Sequence, residues 1–185
     1  MSDIWFTSDT HFCHNRDFLF QPRGFTNVDD MNKAIIERWN SVVKPNDEVY
    51  HLGDIALNDI DTAISYINRL NGTIYWIRGN HDSEKKIDTI INECPSVWDM
   101  GWARQMKIDK YSFYLSHYPT LTTNFDDKHF SQHVINLHGH THQQTNWLNP
   151  DNPFMYHVGL DSHDCTPVHV EKVIDDIKNK WKEMK

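Results

Sequence analysis

Apolar and polar positions alternate in two distinct rhythms along the first half of the chain. Ile4–Thr7, Val49–Leu52 and Thr73–Ile77 are short runs rich in β-branched and aromatic residues, the pattern of buried strands. Between them the period changes to that of a helix. Asp30–Val43 brings Met31, Ile35, Trp39 and Val42 to one face, and Asp59–Leu70 does the same with Ile60, Ala63, Ile64, Ile67 and Leu70 before Asn71-Gly72 stops it. Ser83 suits the N-cap of a third helix running to about Asn92, ahead of Pro95. Alternation of this kind predicts parallel strands joined by right-handed crossovers.

The second half reads as strand after strand: Val97–Trp102, Gln105–Ile108, Ser112–Leu115, Val134–Leu137 and Met155–Gly159. Turns such as Asp109-Lys110 predict antiparallel hairpins there. A last helix, Val170–Met184, carries Val173, Ile174, Ile177 and Trp181 on one face and lysines in its final turns, where the helix dipole favours them. The expectation is an α/β fold with two mixed sheets and flanking helices. With no repeat or low-complexity linker, the 185 residues predict a single domain spanning residues 1–185. Thr120–Gln132 is polar and without a period, and is expected to overhang the edge where the strands end.

The residues just beyond the strands change the picture. Asp9-Thr10-His11 comes after Ile4–Thr7, Gly53-Asp54 after Val49–Leu52, and Gly79-Asn80-His81-Asp82 after Thr73–Ile77. Ser116-His117 comes after Phe113–Leu115, and Gly139-His140-Thr141-His142 after Val134–Leu137. Open α/β sheets place ligands at the carboxyl ends of their strands, so these motifs are expected to converge there. In Asp9-x-His11 and His140-x-His142, extended backbone would point both side chains the same way. Asp54 is placed so that its two oxygens could reach two metals at once. Oxygen and nitrogen donors in this mixture suit divalent metals and need no thiolate. His129, His133, His157, His163 and His169 have no such context and read as ordinary core or surface residues.

Composition narrows the partners. A formal net charge of −8 argues against a long nucleic-acid duplex but leaves room for a small phosphorylated substrate, since bound cations reverse the sign locally. Cys13, Cys94 and Cys165 are odd in number and unpaired in spacing, which points to a reducing compartment. Neither a secretory leader nor a membrane-spanning run is apparent, and a cytoplasmic location is expected. Nothing in the chain indicates an oligomeric state.

The series D-x-H, G-D, G-N-H-D, H and G-H-x-H, from about residue 4 to residue 160, resembles the calcineurin-like metallophosphoesterase superfamily, in particular its compact bacterial, archaeal and phage members. The resemblance implies a four-layer α/β/β/α sandwich with a dinuclear centre. One metal would take Asp9, His11, Asp54 and His142, and the other Asp54, Asn80, His117 and His140. Mn²⁺ is favoured, with Fe²⁺, Zn²⁺, Ni²⁺ and Co²⁺ as alternatives. Water activated between the two cations would be the nucleophile.

His81 matches the family's unligated histidine near the leaving group. Asp82 either orients it or is simply an acidic residue at a helix start. Cys13 stands where family members commonly have glycine or another small residue. His14 lies either against the phosphate or leaving group or at the rim. Arg16, Arg23 and Arg78 are candidate phosphate clamps, with ordinary surface charge as the other reading.

The implied activity is hydrolysis of a phosphate ester, with a phosphodiesterase on a small nucleotide-like, possibly cyclic, substrate favoured. A phosphomonoesterase or a catalytically inactive binding scaffold of the same fold are the alternatives. Gly53-Asp54 continues as Ile-Ala-Leu-Asn-Asp, unlike the protein Ser/Thr phosphatases' G-D-x-x-D-R-G.

Overall fold

The computed structural model describes residues 2–122 and 129–184. Strands β1 (Ile4–Thr7), β2 (Glu48–His51), β3 (Thr73–Trp76) and β4 (Val97–Asp99) run parallel, and β9 (Val168–His169) pairs antiparallel with β1. The spatial order is β4-β3-β2-β1-β9. A second sheet has the order β5-β6-β7-β8, formed by Ala103–Ile108, Tyr111–Ser116, Val134–His138 and Met155–His157.

The crossovers of the first sheet are the expected helices. Helix α2 (Val28–Val42) buries Met31, Ile35, Ile36 and Trp39, and is N-capped by Asn27, whose side chain accepts from the Asp30 amide at 2.9 Å. Helix α3 (Ile60–Ile67) is capped the same way by Asp59, which accepts from the Thr62 amide at 3.0 Å. Ser83 does precede α4 (Glu84–Glu93), although its hydroxyl makes no capping bond. A four-residue helix, α1 (Asp17–Phe20), is not evident in the sequence because it is too short for a period. Helix α5 (Val170–Glu183) completes the chain, with Lys180 and Lys182 in its last turn. Among the described residues, no helix is long and apolar enough to cross a membrane.

The sequence predicts antiparallel hairpins in this half; among the described residues of the second sheet, β5 and β6 form the only one. Strands β6, β7 and β8 pair in parallel, so the connections between them, residues 117–133 and 139–154, return the chain to the starting edge. Val97–Trp102 also divides: β4 joins the edge of the first sheet, and Met100–Trp102 passes to the second. Thr120 and Thr122 bond to Asn136 and to the carbonyl of Val134, so residues 120–122 run along β7 away from the strand ends rather than over them. Residues 123–128 of the same segment lie outside the described residues.

Two apolar clusters hold the layers. One joins α2, α3 and α4 to the first sheet through Ile35, Trp39, Ile67, Ile74 and Trp76. The other lies between the sheets, with Phe6, Leu52, Phe113, Leu115, Leu137 and Tyr156, and takes Val173, Ile174 and Ile177 from α5. The result is an α/β sandwich of two mixed sheets with flanking helices. The carboxyl ends of β1, β2 and β3 meet those of β6 and β7, where the His140 amide donates to Asp9 Oδ2 at 3.0 Å and His117 Nδ1 lies 2.8 Å from the Leu52 carbonyl.

Candidate metal centre

Seven side chains from five loops converge on this edge. Asp9 Oδ1 lies 3.8 Å from His11 Nε2 and 3.7 Å from His142 Nε2, and these two nitrogens are 3.2 Å apart. Asp54 Oδ2 stands between the halves, 3.6 Å from His11 Nε2 and 3.4 Å from His117 Nε2. Asn80 Oδ1 is 2.9 Å from His117 Nε2 and 2.8 Å from His140 Nδ1. Asp9, His11 and His142 form one cluster of donors with metal-ligand spacing, and Asp9, Asp54 and His117 a second. One expectation is corrected. Asp54 Oδ1 accepts from the His81 amide at 2.9 Å, so Oδ2 alone faces both halves.

Extended backbone does not align the ligand pairs. Asp9, His11, Asp54, His140 and His142 all have positive φ, between 48° and 69°. This left-handed region costs a non-glycine residue of order 1–3 kcal/mol and is most accessible to Asp, Asn and His. Bonds between adjacent loops hold it: the amides of Asp9, His11 and Phe12 donate to the carbonyls of Gly53, Asp54 and Ile55, each at 3.0 Å. Fully buried Phe12 anchors the segment in the helical core. Close approach also requires two glycines. A Cβ on Gly79 would overlap the Asp54 carboxylate, and one on Gly139 would overlap Ser8 Oγ and Asp9 Oδ2.

The hydrogen bonds outside the cluster set which ring nitrogens are free within it. His117 Nδ1 lies 2.8 Å from the Leu52 carbonyl, an acceptor, so it carries the proton and leaves a lone pair on Nε2 of the neutral ring. That lone pair then faces Asn80 Oδ1 and Asp54 Oδ2, which are themselves acceptors. His142 Nδ1 likewise faces Asp161 Oδ2 at 3.0 Å, turning its Nε2 lone pair towards His11 Nε2 and Asp9 Oδ1. Asp9 is fully buried, and its Oδ1 has no hydrogen-bond partner. Acceptor atoms aimed at acceptor atoms in a buried cluster repel unless a proton or a cation lies between them, so these residues fit divalent metal ions.

Titration reflects the same frustration. Burial opposes the charge on His117, but the bond to Asp54 and the charges of Asp9 and Asp54 win, raising its pKa to about 9. Burial also opposes His142, and Asp161 and Asp9 raise it. Burial pulls His11 well below its usual range and also lowers His140. Asp54 is held below the usual carboxylate range despite burial, by His117, His11 and the His81 amide. Asp9 is raised, because burial outweighs the neighbouring histidines.

Other expected site residues are placed differently. His81 is half-exposed at the mouth, its Nε2 4.0 Å from Asp54 Oδ2. Asp82 does not orient it: Asp82 Oδ2 accepts from the amides of Asp54 and Gly79, at 2.7 and 2.8 Å, and from the Trp76 indole at 3.1 Å. It therefore clamps two ligand loops together. Lys86 reinforces the clamp by donating to the carbonyls of Ala56 and His81. His14 Nδ1 lies 3.3 Å from His11 Nδ1, and so steadies that ligand from the rim.

The arginines divide. Arg78 is committed to Asp99 (2.6 and 3.0 Å) and Glu84 (2.8 Å), neither phosphate clamp nor free surface charge. Arg23 is buried, gripping both oxygens of Asp161 at 2.9 and 2.8 Å and the Asp9 carbonyl at 2.8 Å. Arg16 is exposed at the start of α1. Cys13 is partly buried, with a left-handed φ of 64° and its thiol pKa pushed up to about 11 by burial. Asp161 escapes the sequence reading, although it lies beyond β8 as the other motifs lie beyond their strands. Arg23 is among the sequence candidates, but nothing local marks it as the partner of Asp161 rather than of phosphate.

Comparison with known proteins identifies the family. Residues 3–151 match the calcineurin-like phosphoesterase superfamily domain. An uncharacterised protein of Methanocaldococcus jannaschii is 37% identical over 148 residues, covering 77% of this chain and 70% of that protein. The gene 66 protein of Mycobacterium phage D29 is 29% identical, covering 96% of this chain and 98% of its own. A solved protein of unknown function from Aquifex aeolicus superposes with a TM-score of 0.70 at 22% identity, covering 96% of this chain and 100% of the other. The chain belongs to the calcineurin-like phosphoesterase superfamily.

Proposed function

We propose that the protein is a metal-dependent phosphodiesterase acting on a small nucleotide-like substrate, cyclic nucleotides included. The observation that carries this reading is the ring of facing acceptors around Asp54 Oδ2. Two divalent cations would resolve it, one held by Asp9, His11, Asp54 and His142, the other by Asp54, Asn80, His117 and His140. Such cations, when bound, acidify water and neutralise phosphate oxygens. The mixed donor set suits Mn²⁺, and also Fe²⁺, Zn²⁺, Ni²⁺ or Co²⁺.

The protein's own groups supply the rest. The His81 imidazole stands at the mouth of the cleft, where it can give a proton to the departing oxygen. Arg23 and Arg78 are committed to carboxylates, so the polar groups turned towards a substrate are mainly imidazoles. That suits a singly charged diester better than a dianionic monoester.

The test is direct. Chelated protein should be inactive towards bis-p-nitrophenyl phosphate and regain activity with Mn²⁺. Silence with every divalent metal would leave an inactive scaffold, and preference for p-nitrophenyl phosphate would make the protein a phosphomonoesterase.

A further inference from the structure

The cleft over the metal ligands has a volume of about 290 Å³, room for a phosphate and one planar group. Its wall includes Phe18, from α1. That helix anchors itself by burying Leu19 and Phe20, at 2% and 4% exposure, which leaves Phe18 turned out at 72%. The Phe18 ring meets His14 edge-on at 5.8 Å, and the His14 ring lies 6.4 Å from that of His81. Phe18 thus offers its surface on the flank of the site where the half-exposed imidazole stands.

The opposite flank carries a second exposed ring. Tyr118 is 47% exposed and packs edge-on against His140 at 4.7 Å and His117 at 5.4 Å. Trp102 is also exposed, but its ring lies against the Arg78 guanidinium at 5.9 Å rather than against the ligand histidines. Two partly exposed aromatic rings therefore flank the proposed phosphate position, one beyond each half of the ligand set. Nucleobases stack on such rings irrespective of sequence, because every base has a π-face.

We propose that Phe18 and Tyr118 are stacking platforms for the two bases of a dinucleoside-type diester, Phe18 taking the base on the His14–His81 flank and Tyr118 the other. This rests on the phosphodiesterase reading above and specifies its substrate class. The phosphate would lie over the ligands, with each nucleoside directed outwards onto one ring.

The experiment compares a dinucleoside monophosphate with two analogues, each lacking one base. Wild-type kcat/KM should fall for both analogues. Phe18→Ala should reduce the preference for one base by roughly tenfold, as loss of one stacked base would, and Phe18→Trp should restore it. Tyr118→Ala should reduce the preference for the other base. Ratios matching wild type in both variants, or both variants losing the same preference, would overturn the proposal. Failure of every diester to react would instead count against the phosphodiesterase reading. Calorimetry on Mn²⁺-loaded protein then still decides the stacking question. AMP should bind more tightly than ribose 5-phosphate, and the double variant should lose the difference; equal affinities in wild type would refute it.

Discussion

Asp161 shows how much of the site lies outside its ligands. Its carboxylate receives His142 Nδ1 at 3.0 Å and is gripped from behind by Arg23. Burial would raise its pKa, but His142 and Arg23 hold it below the usual range. Asp161→Asn should weaken Mn²⁺ binding by about 10–100-fold, as loss of a ligand's orienting partner typically does. Calorimetric titration reads this directly, and unchanged affinity would remove Asp161 from the centre.

A second residue-scale prediction concerns three buried histidines outside the ligand set. Burial lowers the pKa of His51 to about 3, of His138 to about 4 and of His157 to about 3, from 6.5. The unfolded chain begins to bind these protons near pH 6.5, while the folded chain resists them until pH 3–4. Their contribution to stability is therefore complete above about 6.5 and declines as pH falls through this window. In metal-free protein the melting temperature should drop across that range, and His157→Gln should flatten the fall. An identical slope in the variant would show that folding leaves the His157 pKa unshifted.

At the scale of elements, the loops after the strands do the positioning, through conformations that ordinary propensity disfavours. Five of the seven proposed ligands sit at positive φ, and Gly79 and Gly139 allow carboxylates to approach the backbone. Gly139→Ala would drive a methyl into Ser8 and Asp9. It should abolish metal binding at the Asp9 half and lower the melting temperature; metal content by mass spectrometry and a thermal scan measure both. None of this is legible locally. Sequence periodicity locates the strands and helices because burial repeats every two or 3.6 residues, but a left-handed aspartate carries no periodic mark. The same gap explains the expectation of hairpins in the second sheet, where runs of short strands conceal long parallel crossovers.

At the scale of the whole molecule, the ligand set joins two sheets. Asp9, Asp54 and Asn80 come from the loops of the first sheet, and His117 and His140 from the second. A cation bound only by the folded arrangement stabilises it by mass action, about 2.7 kcal/mol at a hundredfold excess over Kd. That corresponds to a rise of roughly 5–11 °C for a chain of this size. Mn²⁺ should produce such a shift in wild type, with proton release as the raised histidines deprotonate. Asp54→Ala should lose most of it, because Oδ2 faces both halves; a full shift in the variant would refute the shared position.

The sequence by itself determined which residues could meet. Motifs placed after buried strands reach the carboxyl edge of their own sheet whatever the details of the loops, so the ligand candidates and the α/β class were legible from pattern alone. Only the tertiary structure decided how they meet: Asp54 through one oxygen, Asp82 as a clamp on the backbone, Arg23 as a buried strut and Phe18 as an exposed ring. Those roles depend on distances between segments far apart in the chain, and packing, not local periodicity, sets such distances.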